Sequence, residues 1–210
     1  MTVLKPYTEY RESGVRWLGA IPAEWAVKPA NAVLHERKVK SFPGDEHLTP
    51  SQSHGVLPQS EYMSRTGNKV VLNLTGADSM RHVEPNDFIS HLRSFQGGFE
   101  HSRLAGKVSA AYTVLEPLVG IVPEFYRYLF KSTLYVQALQ TTTDQLRDGQ
   151  SIRFAQVVLL PLPVPDAETQ RSVASFLDRE TGKIDSFIAD QEELIRLLAE
   201  RRAATISHAV

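Results

Sequence analysis

One feature constrains this chain above the others: a long apolar stripe near its end. From Lys183 onward, Ile184, Gln191, Leu198 and Thr205 recur every seven residues. Phe187, Leu194 and Arg201 stand three places after the first three of these, and Ile188 and Ile195 widen the stripe. The heptad pattern predicts a helix over 183–209, about 40 Å long at roughly 1.5 Å per residue. Alone in water, a helix with such a face is poorly stable, so the stripe needs a cover. The stretch PEFYRYLFKSTLYVQAL from Pro123 is the other long helical pattern, and it is too short to serve. Pairing with a second copy of the chain, or with a helix from outside this sequence, is therefore more economical than folding back on the chain's own head. The expected coiled-coil interface comprises Ile184, Phe187, Ile188, Gln191, Leu194, Ile195 and Leu198.

The remainder reads as a head. At 210 residues and 42% apolar composition, the chain suffices for one substantial domain with an appendage. The run VVLLPLPVP removes backbone donors at Pro161, Pro163 and Pro165, which favours an extended edge strand and marks the exit from the globular part. The expected division is a head over residues 1–165 and a helical arm over 166–210. Asp166 is placed to cap the first helix of the arm, and Gly182 to break or bend it before the heptads.

Within the head, Trp17 and Trp25 anchor a polar opening segment. Residues 31–38 predict a short helix, and the polar stretch from Ser41 to Asn68 predicts a long loop region. Val70, Leu72 and Leu74 alternate as in a half-buried strand, and so do Val108, Ala110, Tyr112 and Val114. Between these runs lie two more strands around a Gly97-Gly98 turn. Pro123 opens one helix with Tyr126, Leu129, Phe130 and Leu134 on a single face. The fold class is α+β: a β-rich globular domain with short helices, followed by a long C-terminal α-helical coiled-coil arm.

Composition excludes several functions. With no cysteine, disulfides and thiolate metal or redox sites are ruled out, in keeping with a reducing cytoplasm. No apolar run is long enough to span a membrane, and the charged start lacks a signal-peptide core, so a soluble, unexported protein is expected. The seven histidines show no metal-ligand spacing, and neither a phosphate loop nor a glycine-rich nucleotide turn occurs. Asp166, Glu180 and Lys183 only faintly echo a metal nuclease, because two residues instead of one separate the acid from the lysine. No cofactor is expected. Net charge is −1, but residues 1–165 carry 17 Lys and Arg against 15 Asp and Glu, whereas residues 166–210 carry 6 against 9. The slightly basic head has room for a local phosphate-binding patch and not for a wholly basic face.

The stretches ESGVRWLGAIPAEW, RSFQGGF, RDGQSIRF and FLDRETGKIDSFIADQEELIRLLAERRAATISHAV together resemble the DNA specificity subunit of type I restriction-modification systems. The resemblance covers nearly the whole chain. It implies a target recognition domain that reads one half of a split site on double-stranded DNA, and a conserved helical spacer. Its implied partners are a methyltransferase subunit using S-adenosylmethionine and an ATP-driven restriction subunit, which carry the catalysis. Subunits of this family hold two such domains and two spacers, whereas one of each is present here. A natural half-subunit that dimerises, a shortened gene product and a piece of a longer chain all fit. A scaffold protein whose head binds a protein or small molecule is the competing class.

Base edges are read by donors and acceptors on exposed loops, Arg favouring guanine and Asn or Gln adenine. Ser51, Gln52, Ser53 and His54 form one such candidate loop. Arg93, Ser94 and Gln96 form a second, beside Gly97 and Gly98, whose missing side chains permit close approach of backbone. Arg147, Gln150, Ser151 and Arg153 form a third, with a structural role for this turn weighing slightly more than a phosphate contact, and Arg65 and Lys69 are candidate phosphate contacts. Trp17 and Trp25 are assigned to packing. Asp185, Asp190, Glu192, Glu193 and Glu200 lie off the apolar stripe, an acidic face on which the methyltransferase could dock.

Overall fold

Short runs of three or four apolar-rich residues between turns build most of the head, as a computed structural model of residues 7–68, 80–91, 97–142 and 152–209 shows. The chain divides into two compact units, one within Lys5–Arg171 and the other from Ser172 onward. The candidates Lys69, Arg93, Ser94, Gln96, Arg147, Gln150 and Ser151 lie outside the described residues, as does the strand expected at 70–74.

In the head, β4 (Leu34–Glu36), β8 (Phe88–Ser90), β9 (Phe99–His101) and β11 (Val114–Pro117) form an antiparallel sheet in the order β4-β11-β8-β9. The remaining strands pair two by two: β1 (Tyr10–Glu12) with β2 (Ala20–Pro22), β3 (Ala26–Lys28) with β12 (Leu162–Val164), β5 (Leu48–Ser51) with β6 (Gly55–Pro58), and β7 (Arg81–Val83) with β10 (Gly106–Val108). Leu48, Val56, Val83, Ile89, Val108 and Val114 close one core. A second, aromatic core lies between the sheet and the helices α2 (Pro123–Lys131) and α3 (Thr133–Thr141). Phe130 is at its centre, with ring centroids 5.0 Å from Phe88 and 4.9 Å from Tyr135. The tryptophans pack as expected, Trp17 edge-on to Tyr135 and Trp25 edge-on to Phe125.

Four local expectations are corrected. Residues 30–32 make only a 3-10 turn, and Leu34, fully buried, continues into β4 instead of a helix. The stretch from Ser41 to Asn68 is not a long loop: it carries the β5–β6 hairpin and helix α1 (Gln59–Thr66), closed by Gly67 at φ 69°. The alternating run from Val108 is split by a turn in which the Tyr112 N–H donates to the Ser109 carbonyl, so Val108 and Val114 belong to different strands. The helix from Pro123 breaks at Ser132, whose hydroxyl accepts from the Tyr135 N–H to cap α3. That break takes Leu134 off the buried face, leaving it 60% exposed.

A buried histidine ties the head's loops together. His82 Nδ1 meets Asp45 at 2.8 Å and Nε2 meets Glu84 at 2.8 Å. Burial alone would lower the His82 pKa, but the bonds to Glu84 and Asp45 outweigh it and raise it above its ordinary 6.5. Burial likewise opposes the fall at Asp45, whose pKa is drawn below 3.8 by His82 and the Phe42 N–H. The His82 contribution is complete below pH 6.5 and lost as pH rises through its raised value; that of Asp45 is complete above pH 3.8 and lost on acidification. Urea unfolding of His82→Asn should thus show a deficit of about 1.5–3 kcal/mol at pH 6 that shrinks toward pH 9.

Helix α5 (Ala167–Ala209), which starts within the first unit and supplies the second from Ser172 onward, is continuous. Asp166 caps it as expected, accepting from the Thr169 N–H at 2.9 Å. Of the break or bend expected at Gly182, the break is absent. A mid-helix glycine costs about 1 kcal/mol against alanine, too little to interrupt a helix propagating on both sides of it. The seam residues Ile184, Phe187, Ile188, Leu194, Ile195 and Leu198 are each 48–67% exposed, and Leu197 and Ile206 add to the uncovered apolar surface. Off the seam, Arg196 pairs with both Glu193 and Glu200 at 2.6 Å.

Candidate nucleic-acid interface

Three exposed polar residues, Gln52, Ser53 and His54, make the turn between β5 and β6, which Gly55 closes at φ 69°. A left-handed glycine at the end of a three-residue loop is a common hairpin solution. Ser51 is buried, paired with Gly55 across the hairpin, and its hydroxyl lies 3.3 Å from that of Ser53. Ser51 thus shapes the turn, and the other three present donors and acceptors to solvent.

The two glycines bring this turn to the rest of the site. A Cβ on Gly97 would stand 2.2 Å from Gln52 Nε2 and 2.8 Å from His91 Cδ2, so the Gln52 side chain lies directly across the Gly97 backbone. At Gly98, with φ 63°, a Cβ would stand 1.9 Å from the Phe130 carbonyl oxygen. Their missing side chains admit close approach as expected, but the approaching groups belong to the chain itself. Gly98→Ala combines a left-handed backbone with a clash against helix backbone, and should cost about 2–5 kcal/mol in urea unfolding.

Beside the turn, His54, β6, β9 and α2 line a cleft of about 450 Å³. Arg127, Tyr128 and Lys131 reach it from one face of α2, spaced as i, i+1 and i+4, and Arg103 reaches it from just beyond β9. The Arg127 guanidinium lies over the Tyr128 ring, 4.8 Å from its centroid. On the cleft floor Glu100, buried, accepts from Lys131 and meets His91 Nε2 at 2.6 Å. His101 is pushed down to about 4 by burial, against Glu124 and with Arg127 and Arg103 acting alongside, so it is neutral near pH 7. Among the described residues, the cleft therefore holds three side-chain cations against one carboxylate.

The other described candidates stand apart from this cleft. Arg65 ends α1 in an ion pair with Glu61. Arg153 opens α4 (Phe154–Val157), its backbone N–H donating to Gln156 Oε1 at 2.8 Å, next to the fully buried Ile152. Arg103, Arg127 and Lys131 were missed in the sequence. Their signal was the 127/131 spacing on a helix whose opposite face is aromatic, but only the fold places Arg103 beside them. Among the described residues no group of three or more His, Asp or Glu could hold a metal ion, and no helix is long and apolar enough to cross a membrane.

The chain matches no family profile. It is, however, similar to a type I restriction enzyme specificity subunit, StySPI of Salmonella potsdam, with 23% identity over 206 residues covering 91% of the chain and 44% of that protein. Its α+β fold, with a β-rich head and a long C-terminal helix, is that of solved type I specificity subunits. The HsdS subunit of Thermoanaerobacter tengcongensis superposes with a TM-score of 0.51 at 13% identity, over 84% of this chain and 41% of that one. A chain from a structure on complex assembly and conformational transition of a type I restriction-modification system gives 0.53 at 13% identity, over 82% and 42%. The resemblance seen in the sequence thus holds, and the chain spans less than half the length of each of these proteins.

Proposed function

We propose that the chain is the non-catalytic, DNA-reading part of a type I restriction-modification complex. In this reading, residues 1–165 form a target recognition domain for one half of a bipartite site on double-stranded DNA. Residues 166–210 form the spacer, its seam covered by a counterpart helix from a second copy of the chain or from a second half-subunit. Methylation and cleavage fall to partner methyltransferase and restriction subunits in the cytoplasm, the acidic face at Asp185, Asp190, Glu192, Glu193 and Glu200 being the proposed methyltransferase contact. The observation that carries this reading is the similarity to a specificity subunit, which runs through head and arm alike. The exposed turn Gln52-Ser53-His54 supports it, because a reader needs solvent-facing donors and acceptors on a fixed hairpin.

Paired heptad helices about 40 Å long match one turn of DNA, about 34 Å, so the arm suits a ruler between two reading heads. A gel shift on random duplexes at graded salt tests the reading, with the chain alone and with its methyltransferase. Binding with a steep salt slope and preference for a short motif is expected. No binding in either form would favour the scaffold class instead.

A further inference from the structure

The cations around the cleft sit where a reading turn needs an anchor. Base contacts specify a sequence, but contacts to the phosphate backbone fix the protein's register, and the two must be adjacent for a short turn to read a fixed base. His54 belongs to both features, being the last exposed residue of the β5–β6 turn and a wall of the cleft. Arg103 is exposed, Lys131 is about one-third exposed, and a space of about 450 Å³ admits a phosphate with its sugar.

We propose that this cleft seats one phosphodiester group of the DNA strand passing the β5–β6 turn, with Arg103 and Lys131 as its charge partners, and so holds Gln52 and His54 in register with the bases. The inference rests on the DNA-reading function proposed above. Glu100 sets the strength of the seat. Its buried carboxylate holds Lys131 from below, and His91 remains as its partner when Lys131 turns toward a phosphate. The charge at position 100 therefore opposes phosphate binding, whereas that at position 103 favours it.

The test is the salt dependence of duplex binding by the full chain, in whichever assembly binds DNA. Arg103→Ala should weaken binding to every duplex roughly eightfold at 0.1 M salt, one phosphate contact contributing about 0.9 to the slope of log K against log salt. The slope should become shallower by about 1, with the preference among sequences unchanged. Glu100→Gln, of nearly the same size, should act in the opposite direction and tighten binding to the same duplexes severalfold. Arg103 is exposed, so its replacement keeps the proposal testable if the buried Glu100 position does not accept glutamine. Unchanged affinity and slope in Arg103→Ala would overturn the proposal, as would a changed base preference, which would make Arg103 a base reader. A thermal shift by inorganic phosphate at matched ionic strength, lost in Arg103→Ala while DNA binding stays intact, would reassign the cleft to a free anion and overturn it as well. Wild-type chain that binds no DNA in any assembly removes the underlying function, an outcome separate from wild-type binding that the variants leave unaltered.

Discussion

Arg37→Ala is expected to lower the unfolding free energy by about 3–5 kcal/mol, because it strands a buried carboxylate. Asp87 is 1% exposed and accepts Arg37 Nε at 2.7 Å, Arg37 Nη2 at 3.1 Å and the Glu84 N–H at 2.8 Å. A third bond from Arg37 reaches Glu116 at 2.8 Å, so the guanidinium joins the end of β4, β11 and the turn before β8. That turn is tight, with Asn86 at φ 78°. Burial raises the Asp87 pKa, and the Arg37 guanidinium works against that rise. Without Arg37 the carboxylate takes up a proton more readily, so the deficit should be largest at neutral pH and shrink on acidification. Chemical denaturation at pH 5 and pH 7 checks both size and direction. A cost under about 1 kcal/mol would mean that water reaches Asp87 when the arginine is removed.

The arm should respond more sharply still, but in association and not in folding. If the seam is sealed by a counterpart helix, Leu194→Asp with Leu198→Asp puts two charges into it at consecutive core positions. A buried leucine lost from a packed core costs about 2–5 kcal/mol, so the pair should weaken self-association at least a thousandfold, equivalent to about 4 kcal/mol. Both side chains are about half exposed in the single chain, 48% and 53%, so the head should keep its stability. Sedimentation velocity of the wild type and of the double variant, over a range of concentrations, reads the difference directly. A wild-type chain that stays single at high concentration would contradict sealing by a second copy. Adding or removing whole helical turns within 183–209 should alter the separation between half-sites and leave the bases read unchanged.

The arm was legible because one helix face repeats every seven residues, a signal carried by many positions at once. The break weighed at Gly182 gave a local propensity of about 1 kcal/mol more weight than the cooperativity of a 43-residue helix. The head was less legible because its strands are three or four residues long. In LTPSQSHGVLP the prolines and polar residues that suggested a loop are themselves the β5–β6 hairpin, with Pro50 opposite Val56. Leu134 fits an apolar face of a continuous helix and is released only because Ser132 caps a second one. At the candidate site, the turn at Gln52–His54 was found from residue type, and its association with Gly97 was not, since the contact spans 45 positions of sequence. The cations of the cleft were missed for the same reason: Arg103 and Lys131 become neighbours only when β9 lies against α2.

Selection of bound duplexes from a fully random pool, with the chain assembled as it pairs and with its methyltransferase present, addresses the central claim most directly. The account predicts recovery of two short, fixed base motifs at one constant spacing close to a helical turn of DNA. Retention of the pool without enrichment of any motif, at every salt concentration that permits binding, would contradict it.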